Sequence, residues 1–147
     1  MIVGIVSGYF NPIHTGHLDY IEGAKRCCDL LYVIVNSDYQ VGLKGSERFM
    51  NEYSRLRIVG ALESVDRAMV SIDKDGSVVE SIKEIAKQYR DDPFVDGIRF
   101  MNCGDRKDGN TPESEFCNSN GITLVYNVGG GKTESSSSLL SNVKENS

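Results

Sequence analysis

The 147-residue sequence predicts an α/β fold: a doubly wound, five-stranded parallel sheet in a single domain over residues 1–147. Three observations predict it. Strand-like and helix-like segments alternate along the chain, the order that places a parallel sheet between two layers of helices. The first two strand segments are continuous apolar runs, as strands buried on both faces require. The connections between segments are short, which puts the first strand in the centre with the two halves of the sheet meeting at its carboxyl end.

In order, residues 2–6 (Ile-Val-Gly-Ile-Val) read as the first strand and about 16–28 as the first helix. Residues 30–35 form the second apolar run, ended by Asn36, Ser37 and Asp38. Asn51 is a candidate cap for a helix over about 52–64, in which Tyr53, Leu56, Val59 and Leu62 recur at near-helical spacing. Residues 68–72 read as the third strand and 73–76 as a turn. Residues 78–89 are amphipathic, with Val79, Ile82, Ile85 and Ala86 on one side. Residues 98–102 are the fourth strand, and Asn110, followed by Pro112 and Glu113, starts a short helix near Cys117. Residues 122–126 are the fifth strand, and the polar tail from Asn142 reads as frayed.

Composition excludes several classes. With 16 basic and 21 acidic residues the net charge is -5, so there is no general attraction to nucleic acid, and a phosphate site has to be a local basic pocket. No apolar run is long enough to cross a membrane, and no basic region, apolar core or cleavage site precedes the first strand, so neither a membrane partner nor a signal peptide is expected. Cys27, Cys28, Cys103 and Cys117 make no CxxC pair and have no histidine nearby; they read as reduced, mostly buried thiols of a cytoplasmic protein.

The stretch from Ser7 to His17 joins the first strand to the first helix. A strand, a glycine-containing turn and a helix start make an anion site, because free backbone N–H groups and the positive end of the helix dipole converge there. The only two histidines of the chain, His14 and His17, fall at that point, with Gly16 between them leaving room for a ligand. Lys44, in the loop after the second strand, reaches the same pocket because the carboxyl ends of the first two strands are adjacent. The serines Ser136, Ser137 and Ser138 precede Leu139, Leu140 and Val143 and can open a helix whose hydroxyls and amides face a phosphate. Gly131, Lys132 and Thr133 are not a P-loop: Tyr126 stands where that motif needs glycine, and more loop follows the threonine.

Gly8-Tyr9-Phe10-Asn11 followed by His14-Thr15-Gly16-His17 resembles the signature of the HxGH nucleotidylyltransferase superfamily. The downstream segments 35–38, 43–45 and 53–66 are similar to the adenylyltransferase domain of ADP-heptose synthase and, a little less closely, to glycerol-3-phosphate cytidylyltransferase. The resemblance covers nearly the whole chain. It implies a Rossmann-like sheet and transfer of an NMP from CTP or ATP to a sugar or polyol phosphate, with release of pyrophosphate, for cell-surface polysaccharide precursors. It implies Mg2+ as cofactor, no protein metal ligands, and a homodimer.

Carried over residue by residue, His14 and His17 hold triphosphate oxygens, and Lys44 and Arg55 contact acceptor and bridging phosphates, with Arg57 structural. Gly8, Tyr9, Phe10, Asn11 and Gly16 line the nucleotide site. Gly104 and Asp105 lie near ribose and base, although Cys103 stands where the sugar-phosphate branch usually has glycine. Lys132 matches the basic residue before the serine cluster, and Ser136, Ser137 and Ser138 take the β- and γ-phosphates.

Asn11 is closer to the nicotinate mononucleotide adenylyltransferase form, since cytidylyltransferases usually carry Asp there; the downstream match outweighs it. A non-catalytic nucleotide-binding regulatory domain is the alternative from another class. The acceptor phosphate is already an anion, so the reaction needs positioning and fixed positive charge, with no side chain to remove a proton. Magnesium binds mainly through substrate phosphates and needs no acidic cluster.

Overall fold

Alternate side chains of a strand face opposite sides of a sheet, and β1 (Ile2–Gly8) and β2 (Leu30–Val35) are apolar on both. The computed structural model describes residues 1–104 and 111–129. In it β1 and β2 join β3 (Arg67–Val70), β4 (Gly97–Met101) and β5 (Thr123–Val125) in one parallel sheet, ordered β3-β2-β1-β4-β5. The first strand is central, as the sequence predicts. On one face Val6, Leu31, Val33 and Val35 pack against α1 (Thr15–Lys25) and α3 (Glu52–Gly60) through Tyr20, Ile21, Ala24 and Val59. On the other, Ile5, Tyr32, Ile34 and Phe100 meet α4 (Val79–Tyr89) and α5 (Pro112–Ser119) through Ile82, Ile85 and Cys117. The chain leaves β1 for the first face and β4 for the second. Such a reversal opens a crevice beyond the carboxyl ends of the two strands, where ligands of open α/β sheets bind.

The structure departs from the sequence reading in the connections. The segment after β2, read as a loop, is a helix, α2 (Asp38–Lys44). Its signals are local: Ser37 and Gln40 form a capping box, and Gly45, at φ 77°, closes the far end. Only Gln40 and Val41 of it are buried, so no apolar period betrays it. The first and third helices stop early, at Lys25 and Gly60, because Cys27 N–H and Leu62 N–H turn back to carbonyls three residues behind, those of Ala24 and Val59. Thr111 rather than Asn110 caps α5, its hydroxyl accepting from Ser114 N–H; Asn110 lies outside the described residues. Among the thiols, Cys117 is buried and Cys27 and Cys28 half-buried, but Cys103 is exposed at the end of β4. No helix among the described residues is long and apolar enough to cross a membrane.

Candidate active site

His14 and His17 are the two halves of the N-terminal cap of α1. His14 Nδ1 accepts from Gly16 N–H at 3.1 Å, and His17 Nδ1 accepts from His14 N–H at 3.0 Å. A ring nitrogen that accepts carries no proton, so both neutral imidazoles are held with the proton on Nε2. Neither Nε2 has a protein partner among the described residues. The rings stack with centroids 3.8 Å apart and planes 24° from parallel. Two N–H donors are thereby set side by side at the positive end of a helix.

Burial, followed by the charge of His14, pushes His17 down to about 4. An unfolded histidine titrates near 6.5. Between these values the unfolded chain holds a proton that native His17 refuses, so stability is full above the window and is lost as pH falls through it. Protonating Nδ1 also removes the acceptor for His14 N–H. Thermal melts of wild type and His17→Gln from pH 4 to 7 check this. The wild-type midpoint should fall more steeply with acid; parallel curves would show that another group titrates.

The turn before the helix is built to support the pair. Phe10, at φ 50° and 1% exposed, folds its ring back over Gly8, where a Cβ would sit 2.7 Å from the Phe10 ring. The same ring meets His17 edge-on at 5.0 Å. Asn11 Nδ2 donates to the Glu47 carbonyl at 2.7 Å, and its Oδ1 accepts from Phe49 N–H at 2.9 Å and Met50 N–H at 3.3 Å. The side chains of Phe10 and Asn11, expected to line the nucleotide, are committed here to packing and to holding the 47–50 segment.

Lys44 is the last residue of α2, its ammonium 4.2 Å from the centre of the Tyr9 ring, which places the charge at the carboxyl end of β1. Arg55 departs most from expectation. It is fully buried, and its guanidinium donates to the carbonyls of Met50, Tyr9 and Asn36 and to the Asp38 carboxylate, at 3.0, 2.9, 2.6 and 2.8 Å. With four of its five N–H donors bonded within the protein, Arg55 ties the ends of β1 and β2 to α2 and α3 rather than standing free for the phosphate contact expected of it. Arg57, read as structural, is exposed. Asn36, Asp38 and Gln40 were missed; Gln40 Nε2 donates to the carbonyls of Asp75 and Ser77, joining α2 to the next loop. The Ser37–Gln40 capping spacing was the available signal.

Gly104 lies just past β4, on the far side of the crevice, and its carbonyl accepts from Asn127 N–H at 2.8 Å. Asp105, Lys132, Ser136, Ser137 and Ser138 lie outside the described residues. The last described residue is Gly129, at φ 77°, pressed on α1: a Cβ there would meet the Asp19 carbonyl at 2.4 Å, and one on Gly23 would meet Gly129 at 2.5 Å.

Residues 5–106 match the family model described as Cytidylyltransferase-like. The chain is 36% identical over 106 residues to the bifunctional protein HldE of Methylobacillus flagellatus, covering 67% of this chain and 22% of that one. It therefore spans about a fifth of that relative's length. It is 33% identical over 96 residues to the FAD synthase of Thermoplasma acidophilum, covering 64% of this chain and 68% of that one. Among solved structures, the lipopolysaccharide core biosynthesis protein of Thermoplasma volcanium GSS1 is similar, with a TM-score of 0.63, 27% identity, and coverage of 86% of this chain and 93% of that one. With strand, paired-histidine turn and helix all inside the matched residues, the chain belongs to the cytidylyltransferase-like family.

Proposed function

We propose that this protein is a nucleotidylyltransferase that moves an NMP from ATP or CTP to a phosphorylated small molecule and releases pyrophosphate. The observation that carries the reading is the locked histidine pair, with two Nε2–H donors at a helix start. Fixed donors aimed at a triphosphate stabilise the charge that grows on the α-phosphate and leaving pyrophosphate without reorganising at the moment of reaction. Lys44 adds a positive charge from the end of α2, beside the turn that follows β1, in a protein whose net charge is -5. The acceptor phosphate attacks as the anion it already is.

Among the described residues no three His, Cys, Asp or Glu side chains converge as a protein metal cage requires. Mg2+ would enter on the triphosphate, whose phosphate charge it would neutralise. We take the acceptor to be a sugar or polyol phosphate for cell-surface polysaccharide precursors, a reading supported by the similarity to the lipopolysaccharide core biosynthesis protein. Nucleoside triphosphates and sugar phosphates are cytoplasmic metabolites, so the reading places the protein there. The test is pyrophosphate release on mixing with ATP or CTP and a panel of sugar 1-phosphates and polyol phosphates. Nucleotide binding without release for every acceptor would favour a regulatory domain.

Lys132, Ser136, Ser137 and Ser138 complete the triphosphate site in this reading. Gly129, the last described residue, is seated on α1 against Asp19 and Tyr20, in the turn that follows His17. A hydrogen bond to a charged phosphate contributes about 1.5–3 kcal/mol, so each serine that makes one should weaken NTP binding roughly tenfold to a hundredfold when changed to alanine. Titrating Ser136→Ala, Ser137→Ala and Ser138→Ala with NTP measures this. Unchanged affinity in all three would return the stretch to a linker.

A further inference from the structure

Tyr9 occupies the turn at the carboxyl end of β1, and its surroundings differ from those of its neighbours. Phe10 and Asn11 turn into the protein, whereas the Tyr9 ring, half-buried, presents a face to the Lys44 ammonium. The backbone on both sides is fixed. Arg55 Nη1 holds the Tyr9 carbonyl at 2.9 Å, and the α2 terminus is closed by Gly45 N–H to the Gly42 carbonyl at 3.0 Å and Ser46 N–H to the Val41 carbonyl at 3.2 Å. Beyond that terminus Lys44 is a long exposed chain, and among the described residues no carboxylate pairs with it. Glu113, the acidic group that faces Tyr9 from α5, is anchored elsewhere by Val78 N–H at 3.0 Å. Burial and the Glu113 charge raise the Tyr9 phenol, keeping the ring in its neutral form.

An ion pair would hold the lysine and neutralise it. An aromatic face holds an ammonium by its quadrupole and leaves the full charge for an incoming anion. We propose that Tyr9 is a positioning residue whose ring holds Lys44 over the crevice, ready for the phosphate that Lys44 meets. This rests on the phosphate role of Lys44 proposed above.

Two measurements separate the two ideas. In the substrate-free protein, with lysine labelled at the ε-carbon, the Lys44 ε-methylene should carry an upfield ring-current shift, assigned by its loss in Lys44→Met. The shift should vanish in Tyr9→Leu and return in Tyr9→Phe; a Lys44 signal identical in wild type and Tyr9→Leu overturns the proposal. The second is a double-mutant cycle on pyrophosphate release from the NTP and acceptor that the panel selects. Tyr9→Leu should lower kcat/KM by about two- to fivefold, the range of an exposed cation–π contact, and Tyr9→Phe should recover most of it. In a Lys44→Met background Tyr9→Leu should add nothing. A loss that persists there makes Tyr9 a direct contact or a purely structural residue. Unchanged turnover in Lys44→Met alone overturns the phosphate role of Lys44, and with it the purpose assigned to Tyr9, whatever the ring-current result.

Discussion

His17→Ala should remain folded and release pyrophosphate about 10²–10³-fold more slowly than wild type, the loss typical of removing one fixed donor from a developing oxyanion. The substitution removes the Nε2–H donor and also the acceptor that orders His14 N–H. The fold should survive, because the lost half of the cap costs about 1 kcal/mol against a typical stability of about 5–15 kcal/mol. The apolar contacts of α1 are made by Tyr20, Ile21 and Ala24, away from the helix start. Circular dichroism and turnover on the same preparation test both halves. Near-normal turnover would remove the histidine pair from the site.

Arg55→Met should do the opposite, damaging the fold first. Removing a guanidinium that is fully buried takes the donor from the carbonyls of Tyr9, Asn36 and Met50 and leaves the Asp38 carboxylate with Arg48 alone. A buried acceptor left without a donor costs about 1–3 kcal/mol, so the loss from three carbonyls together should lower Tm by roughly ten degrees or more. Arg55→Lys should recover little, since one ammonium cannot reproduce the planar fork that serves four acceptors. Urea unfolding of the three proteins is the measurement. Wild-type stability in Arg55→Met together with lost substrate binding would restore the direct phosphate contact.

The helix register explains why Arg55 and Arg57 stand in different environments, one buried and the other exposed. Two residues apart on a helix, they point some 200° away from each other, so the sequence says that they differ in environment and leaves open which one is inside. The choice is made by carbonyls at the ends of β1 and β2, brought together by strand pairing rather than by any local pattern. By contrast, the apolar run of β2 and the Asn51 cap, whose side chain accepts from Ser54 N–H, are local and were readable. The paired histidines were readable because they are the only two and stand between strand and helix. Their exchange of Nδ1 bonds was not, since neither histidine is an ordinary capping residue. Phe10 was legible as part of a signature and not as a prop, because its positive φ turns an apolar side chain inward from a loop.

Asn11 carries a further consequence, for the lifetime of the protein. Its amide both donates, to the Glu47 carbonyl, and accepts, from two N–H groups of the same segment. An aspartate could accept but not donate, and would set a carboxylate against that carbonyl. Asparagine ages into aspartate when the next residue's backbone nitrogen attacks the side-chain amide and closes a succinimide. The next residue is Pro12, whose nitrogen carries no hydrogen and cannot close that ring. The strut that holds the 47–50 segment is therefore shielded from deamidation by its own neighbour.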